Sequence, residues 1–435
     1  MTVVKNNSKH VPVIIEGMRT PFLDSGGDYS QLMACDLGAF AIAGLIERTG
    51  INAESIGMVS MGTVLHEVET SNVARECMLK AGVPSNTPAY TVSMAGLSPN
   101  IALGGICDMI SLGRIDVGVA GGTETFSDVP IRLSQTLRRA AMKLRQDSSF
   151  NNILRQMRTL RLRDMLPVPP SGTDFTTRKT MGACAENMVE KFDVSREDSD
   201  CFTLRSHQLA VEAWNNGLFD ENIVPVKIPN TNTVVSRDDS MREDISLEKL
   251  QRLKPIYDKE NGIITAGSSS RFTDGAGAVL VTNMQTAERQ GLTPKALVID
   301  HVSVGVTDLD SEMLLGPAMA IPPLLKRNGL SMNDIDVWEV HEAFSAQIIA
   351  NQNCLASAQF SKKYHGLDNV LGKIPIDKLN TWGGSLALGN PFAATGVRLL
   401  TTAVNRLQKE RKRYAIVSSC AGGGLGSAIL LESCL

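Results

Sequence analysis

Twice along this chain, short apolar runs ending in glycine alternate with longer segments whose apolar residues recur every three or four positions. The first round is "VPVIIEGMR" (11–19), "ACDLGAFAIAGLIERTG" (34–50), "SIGMVSMGTV" (55–64), "SPNIALGGICDMISLG" (98–113) and "DVGVAGG" (116–122). The second is "ALVIDHVSVG" (296–305), "DIDVWEVHEAF" (334–344), "GVRLLTTAVNRLQKE" (396–410) and "YAIVSSCAGGGLGSAILLE" (414–432). Short apolar runs predict buried strands, and the three-to-four spacing predicts helices. Their alternation implies an α/β fold with a sheet covered on its faces, and the repeat of the pattern predicts two duplicated halves. Gly50 reads as a helix stop, Ser98 as an N-cap and Pro99 as the first helical residue.

At 435 residues the chain exceeds one ordinary core. The expected division is a first half from 1–125 plus 260–291, an inserted helical loop domain over 126–259, and a second half over 292–435. Within the insertion, residues 131–165 carry Arg132, Arg138, Arg139, Lys143, Arg145, Arg155, Arg158, Arg161 and Arg163 against only Asp147 and Asp164, with Leu, Ile and Met interleaved. Such a basic amphipathic segment is either a solvated face or a docking surface for an anionic membrane or a partner subunit. It lacks stacking aromatics, and the net charge is −3, so nucleic acid is not an expected partner. Eight scattered cysteines without a CxxC imply reduced thiols and no structural zinc. No run of 18 apolar residues is present. "MTVVKNNSKH" has neither a signal-peptide core nor an Arg-rich transit pattern, which makes the cytoplasm the expected compartment.

Four stretches carry chemistry-grade residues: "SMAGLS" (93–98), "VHEAF" (340–344), "GGSLALGNPFAATG" (383–396) and "SSCAGGGLG" (418–426). The first lies in "AYTVSMAGLSPN" (89–100), a β-leaning run, a turn and a helix start, which is the layout of a catalytic elbow. Its tip is Gly96, which has no side chain. Alone, His341 reads as a core histidine and Cys420 as a small buried hydrophobe. "GGGLG" lacks the full dinucleotide fingerprint.

Together, in this order, these stretches resemble the thiolase family, and within it the branch formed by the thiolase (β) subunit of the fatty-acid β-oxidation trifunctional complex. "MRTPF" (18–22), "AGGTETFSDVPIR" (120–132), "RLRDMLPVPP" (161–170), "MGACAENM" (181–188), "TAGSSSRFTDGAGAV" (265–279), "HEAFSAQ" (341–347), "GNPFAATG" (389–396) and "CAGGGLG" (420–426) carry the likeness across nearly the whole chain. HEAF and "RLRDMLPVPP" point to that branch. The resemblance implies two duplicated α/β halves in a five-layered core with an inserted helical loop domain. It also implies cleavage of a 3-ketoacyl-CoA by a second CoA, with coenzyme A or acyl-CoA as substrate or ligand and no resident cofactor or metal. A homodimeric core and a hydratase/dehydrogenase α subunit are the implied partners.

Such chemistry needs a nucleophile for the ketone carbon, a base to activate it, an acid for the departing enolate, and donors where each oxygen becomes negative. Carried over residue by residue, the family's nucleophilic cysteine falls on Gly96 and its activating GHP histidine on Asn390. The proton-shuttling cysteine is Cys420 and the oxyanion-hole histidine is His341. Backbone N–H groups at Gly96 and Gly422 would line the other hole. Ser270 matches the pantetheine-contacting serine, and Ser268 replaces an asparagine usual beside it. Three functional readings follow: a thiolase taken at face value, an acyl-CoA lyase, condensing enzyme or hydrolase using Cys420 and His341, and a non-catalytic structural subunit of a β-oxidation complex.

Overall fold

In a computed structural model that describes residues 10–435, the first round of apolar runs becomes β1 (Pro12–Arg19), β2 (Met58–Gly62), β3 (Ala89–Val92) and β4 (Val117–Glu124), completed by β5 (Thr273–Asn283). The second becomes β6 (Ala296–Gly305), β7 (Val337–Val340), β8 (Tyr414–Ala421) and β9 (Leu425–Ser433). Of the stretch read for an N-terminal leader, 1–10, residues 1–9 lie outside the described residues.

The strands lie side by side in the order β7-β8-β9-β6-β1-β5-β4-β2-β3. In the first half β2 runs parallel to β4, which is antiparallel to β5, itself antiparallel to β1. In the second, β7 is parallel to β8, β8 antiparallel to β9, and β9 antiparallel to β6. The duplication is therefore visible as topology, and the halves join through counterpart strands, with Val13 opposite Leu297. Only the counterpart of β3 is reduced, to a single parallel bridge between Trp338 and Leu379.

The helices used below are α1 (Ala34–Thr49), α2 (Ser98–Ser111), α3 (Gln135–Gln146), α4 (Phe150–Thr159), α5 (Arg196–Asn215), α6 (Gly316–Asn328), α7 (Ser345–Leu355) and α8 (Phe392–Lys409). Along β4, Val117 and Val119 pack into the cluster that holds α1, while Ala120 packs into the one that holds α2 and α8. Alternate side chains point to opposite faces of a strand, so α1 covers one face and α2 with α8 the other. α8 touches strands of both halves. Fifteen consecutive residues, Ala393–Leu407, are buried in it, as expected of a helix enclosed on all sides. α6 packs on β6, β8 and β9.

One local expectation is corrected. The N-cap of α2 is Leu97, and Ser98 is already helical with Pro99 behind it. The Ser98 hydroxyl turns back into the preceding loop, accepting from Met94 N at 2.8 Å and donating to Ala95 O at 2.6 Å. A local side-chain-to-backbone bond in the elbow outcompetes the capping bond.

The chain separates into two compact units. One runs through Val64 and then comprises Asn72–Asp128 and Thr173–Leu435; the other comprises Leu65–Ser71 and Val129–Gly172. The second holds α3 and α4. Each is capped by a serine, Ser134 and Ser149, accepting from Leu137 N and Asn152 N. The pair buries Asn152 and Gln156 and leaves Met142, Phe150, Leu154 and Met157 exposed. No described helix is long and apolar enough to cross a membrane.

Candidate active site

The elbow is real and strained. Between β3 and α2, Ala95 holds φ at 49°, a left-handed conformation that costs an L-residue on the order of 1–2 kcal/mol. The following residue, Gly96, does not share it. A Cβ built on Gly96 would meet one atom, the Ala421 Cβ, at 3.9 Å. Neither backbone conformation nor crowding therefore requires glycine at the tip. The elbow thus faces the end of β8, one residue past Cys420.

Cys420 is fully buried near the C-terminal end of β8. Burial pushes its thiol up to about 12. It is thus a neutral thiol at physiological pH, suited to donate a proton and unsuited to be a standing thiolate nucleophile. Close packing places it: a Cβ on Gly316, at the start of α6, would lie 3.0 Å from the Cys420 Cα. The β8–β9 turn uses Gly423 and Gly424, both at positive φ. Gly422 precedes them, and a Cβ there would lie 3.4 Å from the Met181 Sδ.

His341 follows β7 directly, and its N–H donates to Ser418 O on β8 at 2.9 Å. The residue is 7% exposed, and its Nδ1 lies 2.9 Å from Ser385 Oγ. Burial, with the Arg398 guanidinium nearby, holds the imidazole pKa down to about 3. Next to it, Glu342 ties together the loop carrying Ser385. Its carboxylate accepts from Asn380 Nδ2 at 2.7 Å, Ser206 Oγ at 2.6 Å and Leu386 N at 3.2 Å. A Cβ on Gly384 would fall 2.1 Å from that carboxylate, so glycine is needed for this approach.

Asn390 precedes α8 with its amide fixed at both ends. Oδ1 accepts from Thr395 Oγ1 at 2.8 Å, and Nδ2 donates to Ser270 Oγ at 3.1 Å. A primary amide in this setting donates and accepts but does not take a proton near neutral pH. Ser270 N donates to Ala343 O at 2.9 Å, which fastens it to the segment that carries His341. Ser268 does not share in this group by its side chain. Its hydroxyl closes a turn with Thr265, while its carbonyl accepts from Ser345 N.

The structure thus brings together two clusters. Gly96 approaches Ala421 beside Cys420, and Asn390, Ser270 and the His341 segment are linked by hydrogen bonds. The residues at the strand ends of β7 and β8 follow the general placement of sites in α/β sheets. The Ser98 hydroxyl is taken up by two backbone bonds, and Cys107 packs in the apolar cluster that holds α2 and α8. The sequence reading did not single out Ser385, Thr395 or Arg398. The available signal was Arg398 itself, a lone charge in the apolar run "GVRLL".

Comparison with known proteins matches residues 12–285 to the thiolase N-terminal domain and residues 292–433 to the thiolase C-terminal domain. The chain is 43% identical to the mitochondrial trifunctional enzyme subunit beta of Bos taurus over 432 residues, covering 99% of this chain and 90% of that protein. It is 39% identical to a probable 3-ketoacyl-CoA thiolase of Caenorhabditis elegans, covering 99% of this chain and 96% of that one. Among solved structures, human mitochondrial 3-ketoacyl-CoA thiolase in complex with CoA superposes with a TM-score of 0.81 at 28% identity, covering 98% of each chain. With both domain models matched end to end on a duplicated fold, this chain belongs to the thiolase family.

Proposed function

We propose that this chain is an acyl-CoA protein of the β-oxidation thiolase type that binds 3-ketoacyl-CoA, retains the groups that handle the enolate, and has lost ordinary thiolysis. The observation that carries this is the pairing of Gly96 at the elbow tip with Asn390 before α8. One offers no nucleophile, and the other offers no base. Cys420 remains as a protonated acid, His341 as a neutral hydrogen-bond donor, and Gly96 and Gly422 keep their backbone N–H groups. Ser270 holds the pantetheine arm. Loss of a nucleophile or its base costs on the order of 10⁶ in kcat in a well-studied hydrolase, far more than the remaining donors replace. Residues 1–125 with 260–291 and residues 292–435 supply the two halves of this centre, and 126–259 shapes the acyl end.

The deciding experiment is mass-resolved incubation of the purified protein with a 3-ketoacyl-CoA, with and without free CoA. The expected result is binding without CoA-dependent chain shortening. Acetyl-CoA released above the uncatalysed rate only when CoA is present would overturn the proposal.

The room at Gly96 favours a second reading, in which water occupies the vacated position and Cys420 with His341 supports hydrolysis or retro-Claisen cleavage. A product formed without CoA, and lost in Cys420→Ala, is its signature.

Similarity to a trifunctional enzyme subunit beta supports a hydratase/dehydrogenase α partner and a homodimeric core. The exposed apolar residues of α3 and α4, set among the nine basic residues of 131–165, support contact with an anionic membrane surface. Co-sedimentation with anionic vesicles that is lost at high salt is the expected behaviour, and binding indifferent to salt would remove that assignment.

A further inference from the structure

Ser385 Oγ has two polar neighbours: Arg398 Nη2, which donates to it at 2.7 Å, and His341 Nδ1 at 2.9 Å. Arginine is a donor only, so it occupies a lone pair on the serine oxygen and leaves the hydroxyl proton to be placed. The acceptor within reach of that proton is His341 Nδ1. If Nδ1 instead carried the proton and donated to Ser385, the buried serine O–H would be left unpaired, which native interiors avoid. Nδ1 is therefore the acceptor, and the proton of the neutral ring sits on Nε2.

We propose that Ser385 and Arg398 are positioning residues that lock His341 as a neutral Nε2–H donor. His341 can then hydrogen-bond an oxygen that gains negative charge, and it cannot serve as a base through Nε2. This deepens the function proposed above by assigning how the retained oxyanion donor is kept ready, and it rests on that reading only for the identity of the oxygen.

The surroundings of the ring agree. Arg398 reaches it from α8 and is fully buried. Its Nη1 stands 3.9 Å from Glu339 Oε2 on β7, two residues before His341. Glu339 Oε1 accepts from Arg406 Nη1 at 2.8 Å, so two guanidinium groups share that carboxylate. Glu342, the next residue after His341, spends its oxygens on Asn380, Ser206 and Leu386. From β8, the contact with this segment is the Ser418 carbonyl, which accepts from His341 N at 2.9 Å. Among the described residues no carboxylate is hydrogen-bonded to the ring to favour an imidazolium, and a cation lies one hydroxyl away. Electrostatics and hydrogen-bond count select the same state.

The test uses the ligand-free full chain, labelled with ¹⁵N-histidine. It therefore reads the proposal whether or not any turnover is found. Of six histidines, the His341 signal is the one lost in His341→Gln. The expected spectrum is a pure Nε2–H tautomer that does not titrate between pH 8 and pH 5. In Ser385→Ala the Nε2–H to Nδ1–H ratio is expected to fall by about tenfold, the equivalent of one hydrogen bond, and Ser385→Thr is expected to restore it. A wild-type ring that carries its proton on Nδ1, or titrates near 6.5, overturns the proposal. So does a Ser385→Ala spectrum identical to the wild type.

Discussion

Glycine at position 96 answers to neither of the demands that fix glycine elsewhere in this chain. Gly423 and Gly424 sit at positive φ, and a Cβ on Gly122 would lie 1.7 Å from Ala393 O. Gly96 has an open approach instead, so a side chain can be put back. The double variant Gly96→Cys, Asn390→His supplies both a nucleophile and a base on a backbone whose elbow is already formed. It is expected to release acetyl-CoA from 3-ketoacyl-CoA in a CoA-dependent way at least about 10²-fold faster than wild type. Gly96→Cys alone is expected to gain much less, since its thiol lacks the base. A double variant that folds, binds substrate and shows no gain would mean that more than these two side chains separates the site from thiolysis. Thiol chemistry at neutral pH offers a second check. Cys420 is buried with its pKa pushed up, whereas Cys201 is exposed. Iodoacetamide at pH 7.5 is expected to label Cys201 first and leave Cys420 unmodified in the native protein, as read by peptide mapping.

At the scale of elements, α8 shows how a site and a core come to share one helix. Its sequence mixes apolar residues with Arg398 and Arg406, and both side chains are fully buried. Burial on this scale is tolerated because Glu339 faces them from β7. The carboxyl of Glu339 is itself pushed up to about 6 by burial, with the two arginines opposing that rise. Removing one member of a buried charge group leaves the others unpaired, at a cost of about 3–5 kcal/mol. Glu339→Ala is expected to lose stability of that size in urea unfolding, and a loss below about 1 kcal/mol would show that the group carries little. The strands other than β5, with α1, α2 and α8, were legible because each is written in a local pattern of apolar spacing and glycine stops; β5, at Thr273–Asn283, had entered only as part of a family-like motif. Ser385 was not legible, because its role comes from His341, 44 residues away, and from Arg398 on another element. The Ser98 cap failed for a related reason, since propensity names a capping residue but not which backbone groups its hydroxyl will meet. The reduced counterpart of β3 was equally hidden, as one bridge at Leu379 has no periodicity to read.

For the whole molecule, the two buried histidines of the larger unit set the direction of its pH response. Burial holds His341 down to about 3 and His207 to about 4, against 6.5 for a free imidazole. His207 lies on α5, where Nδ1 accepts from Arg242 N at 3.2 Å, and nearby Arg242 and Arg271 add to the depression. Below pH 6.5 the unfolded chain takes up protons that the folded chain refuses. The stability these groups contribute is thus complete above 6.5 and is lost as pH falls towards 4. Each contributes about 1.4 kcal/mol per pH unit within that window. Glu339 acts in the opposite sense. Its folded pKa of about 6 lies above the 4.5 of the unfolded side chain, so its contribution is present below 4.5 and lost as pH rises through 6. Asp200, Asp239 and Asp274 are also raised, each by desolvation first, and oppose the histidines at lower pH. Two imidazoles against one carboxyl leave a net loss of roughly 1 kcal/mol per pH unit on acidification from 6.5 to 5. The thermal midpoint is therefore expected to fall between pH 7 and pH 5.5. His207→Asn, which keeps an acceptor for Arg242 N without a titrating ring, is expected to lose about half of the histidine contribution. A midpoint that holds steady over that range in the wild type, or an unchanged slope in His207→Asn, would show that these imidazoles are not held neutral by the fold.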